Sequence, residues 1–303
     1  MALTSINIAG VLGTAKHRLL ATAGLVGLLG SGTAQAGEGL AQPWQLGLQD
    51  AATPVAEFIH SFHDWLLVTI TVITLFVLAL LVIIVAKFNA KANPVPSKTT
   101  HHVGLEIAWT LIPVLILVVI AIPSFRLLKQ QLVTPPADLT IKLTGNAWYW
   151  KFEYPKDAGG GFEFDVRMMT EADIAEAVKA GKGKKEDYHR LLSVDNEAVV
   201  PVNKNIVVQV TSADVLHAFA VQPFGVKVDA VPGRLNQTWF RATKEGVYYG
   251  QCQELCGKDH AFMPLAIRVV SEEKYKAWLA DAKKKFASTD PAVRTADNTV
   301  SSR

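Results

Sequence analysis

Hydrophobic and polar positions divide this chain into stretches with different periods. Residues 64–86 form a first apolar segment, nearly unbroken from Leu66 to Ala86, interrupted by Thr69, Thr71 and Thr74 but by no charge. About twenty residues at 1.5 Å rise cross a hydrocarbon core, and threonine hydroxyls can bond back to their own helix. A second span covers residues 106–126, with Pro113 inside it and Pro123 near its end. From residue 137 to 271 the pattern shortens to that of strands. Leu139–Leu143 alternates, Ala147–Tyr154 is aromatic-rich, and Asn205–Thr211 puts Ile206, Val208 and Val210 on one face. Alternation through the aromatic run places Trp148 and Trp150 on one face and Tyr149 on the other. Leu235–Ala242 and Gly246–Gln251 read as a hairpin turning at Lys244-Glu245-Gly246, and Pro264–Val270 closes the set. Short strands separated by turn signals predict an antiparallel sandwich or barrel.

Two segments depart from that pattern. Residues 169–197 read as a surface insertion, helix-compatible over Glu171–Lys185 and broken by Gly181 and Gly183. Residues 272–287 predict a C-terminal helix: Ser271 can cap it, and Glu272, Glu273 and Lys283–Lys285 suit its dipole. Tyr275, Trp278, Leu279, Ala282 and Phe286 share one face of it, and residues 288–303 form a polar, flexible tail.

The N-terminal region carries the marks of export. Residues 1–36 read as a signal peptide, with Lys16-His17-Arg18, an apolar run Leu19–Leu29 and the small-residue site Ala34-Gln35-Ala36. Residues 37–63 form a polar exported arm that leads into a helix near Ala56. Residues 87–105 carry Lys87, Lys91 and Lys98, so this loop stays in the cytoplasm and both flanking regions lie outside. Composition agrees: 50% hydrophobic residues and a mean hydropathy of +0.23 over 303 residues are high for a soluble domain. A net charge of +3 without a dense basic cluster gives no support to nucleic-acid binding.

The candidate chemistry lies in Gly250–Met263, G-Q-C-Q-E-L-C-G-K-D-H-A-F-M. Cys252 and Cys256 are the only cysteines in the sequence; His260 and Met263 follow them. Two cysteines four apart read, by themselves, as a disulfide in an exported domain. With His260 and Met263 they form a set of soft metal ligands. A structural zinc site would want no Met, and an iron–sulfur cluster would usually want four cysteines. Blue copper uses one Cys, two His and a weak Met. The extra thiolate allows two copper ions bridged by two sulfurs, with one terminal imidazole each. His217, in Asp-Val-Leu-His-Ala-Phe, is the best second imidazole. Glu106, at the cytoplasmic end of the second span, is either an interfacial acid facing water or a functional one.

These residues resemble the cytochrome c oxidase subunit II family. The resemblance runs from the first span to about Val270. It is carried by Leu105-Glu106-Ile107-Ala108-Trp109-Thr110, Trp148-Tyr149-Trp150, Asp214-Val215-Leu216-His217, Pro232-Gly233-Arg234-Leu235-Asn236-Gln237 and the C-x-E-x-C-x3-H-x2-M loop. It implies a two-helix transmembrane hairpin followed by an all-β cupredoxin-like Greek-key barrel in the bacterial periplasm. It also implies a dinuclear copper (CuA) site of His217, Cys252, the Glu254 carbonyl, Cys256, His260 and Met263. The Glu254 side chain would bind magnesium shared with subunit I, and Glu106 would mark the mouth of a proton pathway. Cytochrome c would dock outside the membrane, with Trp148 as the point where electrons enter, and the electrons would pass to haem in subunit I, which reduces oxygen and pumps protons. Glu153, Asp165, Asp214 and Asp229 are the expected docking acids. Gly145-Asn146-Ala147 and the 169–197 insertion depart from the family pattern.

Two other classes compete. A membrane-anchored copper metallochaperone predicts one anchor and a β-α pattern around the cysteines. A CuA-bearing reductase of nitrogen oxides leaves Glu106 and the Glu254 side chain without a partner.

Overall fold

The structure, a computed structural model, describes residues 39–157 and 159–286. The signal peptide and the tail expected at 288–303 lie outside the described residues. Helix α1 spans Pro54–Lys87 and α2 spans Val103–Leu132; both are apolar enough to cross a membrane. Thr69, Thr71 and Thr74 donate to the carbonyls four residues back, at 2.6–2.9 Å, so none is left polar against lipid. The 34 residues of α1 extend about 51 Å at helical rise, well beyond a ~30 Å hydrocarbon core. Its first turns therefore belong to the extramembrane part.

Those turns are tied down. Thr53 caps α1 by accepting the Ala56 N–H at 3.0 Å, and its own hydroxyl donates to the Phe224 carbonyl at 2.8 Å. The Ala52 N–H donates to the Pro223 carbonyl at 2.9 Å, and the Thr243 N–H donates to the Ala52 carbonyl at 2.9 Å. Just beyond α2, Thr134 Oγ1 accepts Gln237 Nε2 at 3.1 Å.

The β domain holds β1 Leu139–Asn146, β2 Tyr149–Tyr154, β3 Phe162–Val166, β4 Ala198–Pro201, β5 Ile206–Ser212, β6 His217–Val221, β7 Val226–Ala230, β8 Asn236–Phe240, β9 Gly246–Gln251 and β10 Pro264–Val270. One sheet runs β3-β2-β1-β5-β8, a second β4-β10-β9, and β6 pairs with β7. Strict in–out alternation along β1, β2 and β3 sends Ile141, Leu143, Trp150, Phe152, Tyr154 and Phe164 into one core.

Three expectations are corrected. The sheets are not purely antiparallel: β1 runs parallel to β5 and β4 parallel to β10. β8 and β9 are not a hairpin; β8 pairs with β5 and β9 with β10, so residues 241–245 carry the chain from one sheet to the other. Trp148 is not in a strand, because Asn146 pairs with Tyr149 and leaves Ala147 and Trp148 as a tight turn.

In the 169–197 segment, helix α3 forms at Glu171–Lys179, closed at its start by a reciprocal Thr170–Asp173 capping box. Helix α4, Glu272–Phe286, lays the expected face on the domain. Tyr275 and Ala282 are buried, and Trp278, Leu279 and Phe286 pack against the core. There it meets an aromatic cluster, with ring centroids 4.7 Å apart for Phe164–Phe286 and 5.1 Å for Tyr154–Trp278.

Candidate metal centre

The loop between β9 and β10 contains no strand and only a one-turn helix at His260–Phe262. Its ends are fixed by the antiparallel β9–β10 pair, in which Gln251 faces Pro264. At its root the Cys252 N–H donates to the Met263 carbonyl at 3.1 Å. Trp150, fully buried, donates its indole N–H to that same carbonyl at 3.4 Å. The two anchors hold the first and last candidate ligands side by side.

The donors then converge. Cys252 Sγ lies 3.9 Å from Cys256 Sγ and 3.8 Å from His217 Nδ1, and Cys256 Sγ lies 3.5 Å from His260 Nδ1. The Glu254 carbonyl oxygen is 3.3 Å from Cys252 Sγ. His217, Cys252, Cys256 and Met263 are all buried, and His217 is wholly so. Both cysteines are free. The ligating atoms of His217, Cys252 and Cys256 lie within 4.8 Å of one another.

The electrostatics suit a cation. Burial opposes ionisation of Cys252, but hydrogen bonds from His217 and nearby backbone outweigh it and bring the thiol down to about 7. Burial and then the neighbouring Cys252 charge push Cys256 up to about 12. Without a cation the cage thus takes one negative charge readily and resists a second. Two adjacent sulfurs, two imidazoles, a thioether and a carbonyl fit soft, partly thiophilic ions such as copper.

Trp148 lies over this loop. Its indole N–H donates to the Cys256 carbonyl at 3.1 Å, and Lys258 Nζ is 5.5 Å from the ring centroid. Gly257 has φ +122°, and a Cβ there would come within 3.0 Å of the indole, so only glycine lets the ring lie this close. Val215, Leu216, Leu235, Leu255 and Phe262 are exposed on and around the ligand-bearing segments, Leu255 at 78%.

The other predicted residues lie elsewhere. Glu106 is in the first turn of α2, where its carboxylate accepts the His102 N–H at 3.2 Å. Glu153 pairs with Lys142 and Asp165 with Arg167, each at 3.0 Å, and Asp229 faces Lys227 at 3.9 Å. Asp214 is bonded to His217 Nε2 at 2.9 Å. Sequence reasoning missed Trp150, whose ring meets His217 edge-on at 6.0 Å, and Gly145, where a Cβ would come within 2.8 Å of the His217 ring.

A family model described as cytochrome C oxidase subunit II, periplasmic domain, matches residues 139–270, and the corresponding transmembrane-domain model matches residues 41–127. A probable cytochrome c oxidase subunit 2 of Rickettsia bellii is 48% identical over 84% of this chain and 90% of its own length. The cytochrome c oxidase subunit 2 of Cereibacter sphaeroides is 46% identical over 86% of this chain and 89% of its own. Among solved structures, the periplasmic domain of subunit II of cytochrome oxidase from Bradyrhizobium japonicum is 57% identical, covering 51% of this chain and 99% of that one, with a TM-score of 0.44. The described residues show neither the single anchor nor the β-α pattern of a metallochaperone; two family models, and relatives matched over about nine-tenths of their own length, place the chain in the cytochrome c oxidase subunit II family.

Proposed function

We propose that this chain, as subunit II of a haem–copper terminal oxidase, is where electrons from a cytochrome c enter the complex, at a dinuclear copper site. The convergence of two free thiols with the buried His217 and the half-buried His260 carries the reading. His217, Cys252, Cys256, His260, Met263 and the Glu254 carbonyl would hold the ions. When bound there, a copper pair would supply one-electron redox chemistry.

The protein's own part is preorganisation. The β9–β10 pair and Trp150 hold the loop ends before metal arrives, which limits rearrangement on binding. Burial keeps water from the sulfurs. Trp148, bonded to the Cys256 carbonyl, offers an indole edge between an outside donor and the ligand loop. The exposed apolar residues around the loop suit a face that closes against partner proteins. Glu153, Asp165 and Asp229 would steer a lysine-rich donor, each tempered by its neighbouring base.

Partner subunits follow from family membership. Subunit I would receive the electrons, share a magnesium ion with the Glu254 side chain, and take protons at Glu106. The lysines between α1 and α2 favour a cytoplasmic loop, which puts the metal site in the periplasm of a bacterial inner membrane.

The deciding measurement is the EPR and visible spectrum of the copper-loaded full chain. One unpaired electron shared over two coppers is expected; a single-copper blue spectrum at full loading sinks the reading. Glu106→Ala should slow oxidase turnover while reduction of the copper site by cytochrome c stays fast. Unchanged turnover at saturating donor would remove Glu106 from the mechanism.

A further inference from the structure

Asp214 is placed too well for an acid whose only work is outside the protein. It sits in the turn between β5 and β6, three residues before His217. One carboxylate oxygen accepts the Ala147 N–H at 2.7 Å. The other accepts the Val215 N–H at 2.6 Å and lies 2.9 Å from His217 Nε2. Its side chain is 38% exposed, while the His217 side chain is wholly buried. Two segments remote in sequence thus meet on one carboxylate. One is the Ala147-Trp148 turn, and the other carries His217.

Neighbouring contacts lace the same two segments together. The Ala213 N–H donates to the Gly145 carbonyl at 3.0 Å, and Ser212 Oγ, which accepts the Asp214 N–H at 3.2 Å, donates to the Val215 carbonyl. The absent side chain at Gly145 leaves room for the His217 ring against β1.

We propose that Asp214 is a positioning residue, fixing the His217 ring for metal and tying the Trp148 turn to that same ring. An ionised carboxylate only accepts hydrogen bonds, so the proton sits on Nε2 and the lone pair is left on Nδ1. Nδ1 is the atom that faces Cys252 Sγ at 3.8 Å. Such a partner fixes tautomer and ring orientation in metal-binding histidines generally. The same carboxylate holds the backbone from which Trp148 reaches the Cys256 carbonyl, so the indole and the imidazole are set by one group. This rests on the copper reading above.

Asp214→Asn and Asp214→Glu separate positioning from docking. Asparagine offers one acceptor oxygen where two are used; glutamate keeps the charge but displaces it by one methylene. Both variants are made in the full chain, assembled in the oxidase. If Asp214 positions, both lose copper to a competing chelator about 10-fold more readily than wild type. Both also show altered EPR hyperfine structure, and transfer of the first electron at saturating cytochrome c slows equally at low and high ionic strength. In the copper-free chain with 15N-labelled histidine, both lose the low-field Nε2–H signal of His217. The proposal is overturned if Asp214→Glu matches wild type in copper retention and EPR, while Asp214→Asn differs only in a salt-dependent association rate. Wild-type protein without a two-copper signal would instead sink the copper reading, leaving the His217 NMR result to judge the contact alone.

Discussion

The aromatic cluster under α4 and the ligand loop between β9 and β10 are both buried, and they are held together in opposite ways. Under α4 the contacts are mostly carbon on carbon: the rings of Tyr154, Phe162, Phe164, Trp278 and Phe286 pack against one another. In the loop, donor atoms point at a common space, and two thiols compete for one charge. The first region is complete when the chain folds; the second is a preformed conflict that a cation resolves. Burial therefore means stability in one place and readiness in the other.

The comparison breaks most visibly at a ligand. Cys252→Ser should abolish the shared two-copper EPR signal outright, while the thermal midpoint of the metal-free chain moves little. A large fall in that midpoint would mean the loop is as structural as the aromatic cluster. Trp148→Gln comes next. Glutamine can still donate to the Cys256 carbonyl, so the copper spectrum should persist, but stopped-flow reduction by cytochrome c should slow by orders of magnitude. Wild-type kinetics would make Trp148 a packing residue and move the point of electron input elsewhere. Phe164→Ala sharpens the other side: Phe164 is 5% exposed and stacks on four rings. Its loss should lower unfolding free energy by about 3–5 kcal/mol, read by denaturant titration, with the copper signal unchanged. The smallest effect belongs to Asp229→Asn. It should slow association with cytochrome c a few-fold at low salt, and the difference should vanish once the Debye length falls to about 8 Å. A salt-independent loss would place Asp229 outside the steering role.

The ligand loop was legible because its chemistry is local: Cys252, Cys256, His260 and Met263 are adjacent in sequence as in space. His217 was reachable through its motif, Asp214-Val215-Leu216-His217. The transmembrane helices were legible from their unbroken apolar runs, and α4 from its one-sided period. Partnering was not. β8 and β9 follow each other with a turn between them, yet hydrogen bonding takes them to different sheets. β6 was hidden because all five of its residues are buried, which erases alternation. Trp148 misled because an aromatic run looks like one strand until pairing shows where the hairpin must turn. The proposed role of Asp214 was invisible because charge alone suggests solvent, and only the fold brings its oxygens to the Ala147 N–H and the His217 ring.

The bonds between Ala52, Thr53 and the Pro223–Phe224 turn have a mechanical meaning. A domain joined to its membrane helix by a slack linker would sway, and its redox site would sample a range of heights above the bilayer. Here the helix continues past the hydrocarbon and is bolted to the domain on arrival, with a second strut from Gln237 to Thr134. The ligand loop is thus carried on a mast, not on a tether. Because tunnelling rates fall exponentially with separation, a fixed height turns a distribution of transfer times into a single one. The chain sets that clock when it folds, before any partner has docked.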